Sequence, residues 1–246
     1  MRIIAHRGSS HSAPENTLAA FRLAWDEGAD GVEFDVRLTR DRKIAVIHDE
    51  TARRTSGRAA KISDLTLREV QSLDAGSWKG PEWKGERVPE LSETLALTPP
   101  GKLVMVEIKC GGEILPELRR VTAESRLAPK QLLFLCFSLD VLSQTKRSFP
   151  DHLAIQNVVL ARRSLRRTWS PSSDALVKRA RAAGIDGFGV GFCRGINAEF
   201  VRKIRDSGLK LFVWTVDNVA AARRMRDMGV DYLATNRPAW LRADIA

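Results

Sequence analysis

Along the chain, short runs of apolar and β-branched residues alternate with longer stretches in which apolar residues recur every three to four positions. The first pattern is that of buried strands, the second that of helices with one apolar face. The runs are RIIA (2–5), GVEFDV (31–36), LVMVEI (103–108), LLFLCF (132–137), LAIQNVV (153–159), GFGV (187–190), KLFVWTV (210–216) and DYLA (231–234). Between the first two, PENTLAAFRLAWDEG places Leu18, Phe21 and Trp25 on one face, with Pro14 ahead of the first turn and Gly28 as a stop. NAEFVRKIRDSG and NVAAARRMRDMG also end on Gly and lead at once into a strand. Eight strands alternating with helices predict an α/β fold, a TIM (β/α)8 barrel, because an open doubly wound sheet usually holds about five or six strands. Single barrels reach the length of this chain, so residues 1–246 are read as one domain.

One stretch breaks the alternation. Residues 50–90 are too long for a simple strand-to-helix connection and are rich in Gly, Lys and Arg, which predicts a small inserted subdomain after strand two. It is expected over the carboxyl end of that strand, where barrels carry their active-site loops. Just before it, KIAVIHDE (43–50) reads as a short strand turning back on RLT (37–39) through Asp41 and Arg42.

The strand GVEFDV is unusually acidic. Glu33 and Asp35 alternate with apolar residues and so share one face. Two carboxylates that close repel each other and raise each other's pKa, so the arrangement calls for a cation. Glu107 ends the next barrel strand, with Lys109 two residues on. Ion pairs with the abundant Arg would explain one such acid; three at strand ends favour an oxygen-ligated divalent ion, Mg²⁺ or Ca²⁺ rather than zinc. Of the four histidines, His6 ends strand one and His48 follows the strand after the acidic pair, and both are candidates for proton transfer. Arg7 offers a planar fork of donors suited to phosphate, Lys109 a point charge, and Gly8 close backbone approach. His152 falls at the opposite end of the barrel and is assigned to packing or surface; His11, in the first loop, is either a substrate contact or an exposed histidine.

Composition adds limits. Lys and Arg exceed Asp and Glu by ten, which favours anionic partners. The three cysteines, Cys110, Cys136 and Cys193, show no paired spacing, and no apolar run approaches the roughly 18 residues of a membrane span, so a cytoplasmic protein is expected. The aromatics are not interleaved with the basic residues, which argues against specific nucleic-acid binding. The stretch RRSLRRTW (162–169) would suit an anionic membrane surface, and a solvated basic face accounts for it as well. Oligomeric state is not legible.

Taken in order, HRGSSHSAPENT, EFDVRLTRDRKIAVIHDETARRTSG, ISDLTLREVQSLDAG, VPELSETL, EIK, VWTVDN and ATNRP resemble the glycerophosphodiester phosphodiesterase family over nearly the whole chain, Ile3 to Pro238. The resemblance implies a TIM-type barrel with an inserted subdomain, and metal-dependent hydrolysis of glycerophosphodiesters to sn-glycerol 3-phosphate and an alcohol. It places metal ligands at Glu33, Asp35 and Glu107, the paired histidines at His6 and His48, and phosphate contacts at Arg7 and Lys109. It also places first-loop support at Glu15 and Asn16 and an aromatic wall for the glycerol unit at Trp214, a position equally suited to a core Trp. Family members often carry Asp where this chain has Asn236, which puts any charged role there in doubt. The resemblance also admits a lysophospholipase D-type activity on lysophospholipids. Toxin-like phospholipase D relatives generally lack so long an insertion, and a barrel without catalysis is disfavoured by the intact His6, Glu33, Asp35, His48 and Glu107.

Overall fold

The computed structural model describes residues 1–163 and 168–245. Its strands are β1 (Arg2–His6), β2 (Gly31–Leu38), β3 (Ile44–Val46), β4 (Leu103–Ile108), β5 (Leu132–Cys136), β6 (Leu153–Val158), β7 (Ala161–Arg163), β8 (Thr168–Ser170), β9 (Gly187–Gly191), β10 (Lys210–Trp214) and β11 (Tyr232–Thr235). Its α-helices are α1 (Leu18–Asp26), α2 (Arg53–Ser56), α3 (Leu67–Gln71), α4 (Leu91–Ala96), α5 (Leu115–Glu124), α6 (Leu139–Ser148), α7 (Ser173–Ala183), α8 (Ala198–Asp206), α9 (Val219–Met228) and α10 (Pro238–Ile245). Strands β1, β2, β4, β5, β6, β9, β10 and β11 are parallel neighbours in that order, and β1 pairs with both β2 and β11. The sheet is therefore a closed eight-stranded barrel wrapped by helices, as the alternation of runs predicts. Each predicted run coincides with one barrel strand.

Alternation of side chains along each strand sorts the residues into two cores. On β2, Val32, Phe34 and Val36 face the helices, with Phe34 and Phe21 of α1 5.4 Å apart between ring centroids. The positions between them face inward. A second cluster, including Ile4, Met105, Leu135, Ile155 and Phe212, fills the lower barrel. Two residues further along the same inward columns the chemistry changes: Ile4 is followed by His6, Met105 by Glu107, Ile155 by Asn157 and Ala234 by Asn236. Register sets His6 beside Glu33 and Asp35 beside Glu107. A polar layer thus sits on an apolar floor at the carboxyl end of the barrel.

The connections above that layer are pinned by helix caps. Thr17, Ser138, Ser172, Asn197 and Asn218 each accept a hydrogen bond from a first-turn N–H of the helix that follows, a contact typically worth about 1 kcal/mol. After β2 the chain turns at Arg42, and β3 runs back antiparallel, Val46 opposite Val36 and Ile44 opposite Leu38. The following segment, with α2, α3 and two short 3-10 turns, encloses its own small cluster of Ala45, Ile47, Ala52, Ile62, Leu65, Val70, Ala75 and Val88. It closes where it began, Val46 N–H donating to the Pro89 carbonyl at 2.9 Å. The antiparallel strands β7 and β8 flank residues 164–167, so the centre of the basic stretch 162–167 lies outside the described residues. Among the described residues no helix is long and apolar enough to cross a membrane.

Candidate active site

The polar layer lines a cavity of about 140 Å³ whose walls carry His6, Arg7, Glu33, His48, Glu107, Lys109 and Trp214, completed by Phe137, Asn157 and Phe212. A larger cavity of about 700 Å³, among Leu95, Val121, Leu127 and their neighbours, lies at the amino end of the strands and holds no cluster of catalytic groups.

Glu33, Asp35 and Glu107 each offer an oxygen within 4.8 Å of the others, and they are only 2, 1 and 7% exposed. Two cations share the space. Arg7 Nε is 3.3 Å from Asp35 Oδ2, and Lys109 Nζ is 2.7 Å from Glu107 Oε1 and 3.4 Å from Asp35 Oδ1. Burial, reinforced by Asp35 and Glu107, pushes the Glu33 carboxyl well above its usual range; burial and Asp35 raise Glu107 as well. Asp35 is held below the usual range because Arg7 and Lys109 outweigh its burial. Three buried acids against two cations leave an excess of negative charge, and Asp35 Oδ1 is buried without a hydrogen bond. An all-oxygen donor set of this kind fits a hard divalent cation.

The first loop delivers Arg7. Arg7, Gly8 and Asn16 all adopt left-handed backbone, φ +59°, +83° and +57°. A Cβ on Gly8 would lie 2.7 Å from the Ala20 carbonyl carbon, so α1 approaches too closely for any other residue. Arg7 Nη1 donates to Glu15 Oε1 at 2.8 Å. Asn16 Nδ2 donates to Asp35 Oδ2 at 2.9 Å and its Oδ1 accepts from the Asp35 N–H at 3.3 Å. Glu15 and Asn16 therefore brace Arg7 and Asp35 from behind rather than line the cavity.

The histidines are braced differently. His6 Nδ1 lies 2.8 Å from Asn236 Oδ1, while Nε2 is 4.0 Å from Glu33 Oε2. Burial, with Arg7 alongside, lowers its pKa, so the ring is neutral. His48 Nδ1 lies 2.6 Å from Asp49 Oδ1. Asp49 also accepts from Arg54 Nε at 2.7 Å, and Arg54 completes a paired contact with Glu15 at 2.8 Å. Arg54, on α2, thus ties the partner of Arg7 to the partner of His48. Trp214 stands edge-on to Phe137, centroids 5.7 Å apart, at the mouth. His152 packs against Phe134 and Phe149 at the far end, and His11 is exposed.

The model of the glycerophosphoryl diester phosphodiesterase family matches residues 6–240. The chain belongs to that family. It is accordingly a phosphodiester hydrolase. A glycerophosphodiester phosphodiesterase of Caldanaerobacter subterraneus subsp. tengcongensis is 36% identical to it, over 96% of this chain and 94% of the relative. Among solved structures, an Oleispira antarctica phosphodiesterase in complex with the product sn-glycerol-3-phosphate superposes with a TM-score of 0.89 at 29% identity, over 100% of this chain and 96% of the other. A Thermotoga maritima glycerophosphodiester phosphodiesterase gives 0.78 at 26% identity, over 99% and 97%.

Several residues of the phosphodiesterase site escape a reading of motifs. Asn157 and Phe137 each lie two positions beyond an inward apolar residue, as Asn236 of the ATNRP motif does, so following the inward column of every strand would have found them. Asp49 adjoins His48 in sequence. Arg54 carries no such signal, being one of several arginines in a segment without period.

Proposed function

We propose that this phosphodiesterase hydrolyses glycerophosphodiesters to sn-glycerol 3-phosphate and an alcohol at the carboxyl end of its barrel. The observation that carries the reading is a cluster of three buried carboxylates, two of which, Glu33 and Glu107, line one small cavity together with His6 and His48. Glu33, Asp35 and Glu107 would hold a divalent cation, Mg²⁺ or Ca²⁺, which when bound supplies positive charge beside the phosphoryl oxygens. Arg7 and Lys109 bind the phosphate and are preorganised for it by Glu15, Asp35 and Glu107. Neutral His6 takes the proton from the attacking oxygen. His48, with the Asp49 carboxylate behind its ring, donates a proton to the leaving alcohol. Asn157 Oδ1 and Trp214 Nε1, buried without partners on the cavity wall, are an acceptor and a donor for glycerol hydroxyls.

About 140 Å³ is small beside the roughly 300–1,000 Å³ of drug-sized pockets, so only the glycerophosphoryl unit is enclosed and the alcohol side remains on the rim. That rim supports a second reading. Phe137, Val159 and Phe192, following neighbouring strands β5, β6 and β9, are 45, 62 and 39% exposed, and would suit an acyl-bearing diester of lysophospholipid type. Incubation with glycerophosphocholine and with lysophosphatidylcholine, each with Mg²⁺ or Ca²⁺, separates the two by rate. Release of sn-glycerol 3-phosphate from the first is expected; turnover of neither diester with either cation would overturn the assignment.

A further inference from the structure

The Asn236 side chain sits between two partners of unlike demand. One end of its amide is 2.6 Å from Asp217 Oδ2, a carboxylate that accepts hydrogen bonds and donates none, so this end is the NH2 group. Asp217 is itself held, its Oδ1 accepting from Thr235 Oγ1 at 2.7 Å and from the Asn236 backbone N–H at 2.8 Å. The amide cannot turn over without setting two acceptors face to face. Its oxygen must therefore face His6 Nδ1, at 2.8 Å, with Ser10 Oγ at 2.9 Å. An amide oxygen does not donate, so Nδ1 carries the hydrogen and Nε2, on the cavity side, keeps its lone pair in the neutral ring.

We infer that Asp217 and Asn236 are a positioning pair that selects the His6 tautomer able to accept a proton in the cavity. The role rests on the reading of His6 as proton acceptor. It gives the exposed Asp217, which bonds Thr235 and Asn236 and does not line the cavity, a function at the far side of the Asn236 amide. It also accounts for an amide at position 236: a carboxylate there would face the Asp217 carboxylate at hydrogen-bond distance.

Two measurements test it together: ¹⁵N imidazole NMR of His6, and steady-state kinetics on glycerophosphocholine with whichever of Mg²⁺ and Ca²⁺ supports turnover. The wild-type spectrum is expected to show hydrogen on Nδ1. N236A is expected to mix the tautomers and lower kcat about 10- to 100-fold, with KM held within about threefold, because the lost feature is orientation of a proton acceptor and not substrate binding. N236D is expected to lose activity through carboxylate repulsion, and D217N/N236D, which exchanges the two groups, to recover kcat to within about threefold of wild type. Hydrogen on Nε2 in the wild type overturns the inference, as does N236A with kcat within about threefold of wild type, an effect of N236A on KM alone, or a double variant no better than N236D. The wild-type spectrum decides the tautomer even where a variant does not fold. Absence of turnover by the wild type would instead count against the functional reading, which the NMR measurement does not require.

Discussion

The two histidines face one cavity, but different regions of the molecule hold them. His6 ends a barrel strand, and its neighbours are uncharged groups: Thr215 and Asn236, each directly after a barrel strand, and Ser10 of the first loop. His48 lies beyond the barrel, after β3, and is held by an ionic chain from Asp49 through Arg54 to Glu15. The contrast separates two ways of making a site precise. Register fixes the first half through the whole sheet, so few local changes move it. Charge fixes the second half through a few side chains, one of them Arg54 at 43% exposure, so single substitutions and solvent reach it.

The part shared by both halves should show the largest effect. The proposed divalent cation would supply charge beside both histidines, so chelation, or E107Q in its ligand set, is expected to lower turnover of glycerophosphocholine by about a thousandfold or more. Full activity in excess chelator would remove the cation from the site. Next come the histidines themselves: H6A and H48A are each expected to lose about 10²- to 10⁴-fold in kcat, as for other proton-transfer groups. A loss below about tenfold in one of them would leave the comparison with a single working half.

The sequence makes the first half more legible than the second, for a physical reason. Strand residues alternate with a period of two, so an acid between Val32, Phe34 and Val36 must point into the barrel, and Glu33, Asp35 and Glu107 can be placed without coordinates. The eight runs are legible for the same reason. Boundaries are less so: α1 begins at Leu18, because Thr17 caps it, and Pro14 to Asn16 belong to the loop that braces Arg7 and Asp35. The link from Arg54 to Glu15 and Asp49 has no period and joins residues brought together only by the packing of the segment after β3, so the sequence offers no rule that would select Arg54 from Arg53 beside it. The same holds for Asp217 and Asn236, whose pairing depends on how adjacent barrel strands end.

Asp49 tests whether charge, and not just an acceptor, matters behind His48. D49N keeps an oxygen available to Nδ1 but removes the negative charge, and kcat is expected to fall about tenfold with KM little changed. A loss equal to that of H48A would mean that the ring itself has moved. An unchanged kcat would make the two halves alike, each content with a neutral acceptor.

Arg54 should show the smallest effect, and one that depends on pH. Hydrogen bonds to Arg54 and Arg7 hold Glu15 at about 2 against its burial, and those to Arg54 and His48 hold Asp49 at about 2. Both pKa values are depressed on folding from 4.5 and 3.8. Between those values and about 2 the unfolded chain binds more protons than the folded one, so this stabilisation is full above about 4.5 and is lost as pH falls toward 2. R54A removes much of it. Because Arg54 is 43% exposed, screening by solvent limits the penalty to about 1 kcal/mol at pH 7, read from urea unfolding of wild type and R54A. At pH 3 the difference should be smaller, since the wild type has by then lost part of what the variant lacks. The Arg54 guanidinium also lies 6.0 Å from the Trp78 ring centroid, a contact whose strength does not follow carboxylate protonation. A penalty that stays constant from pH 7 to pH 3 would therefore assign Arg54 to packing on Trp78, and the second half of the site would then be held by shape, as the first is.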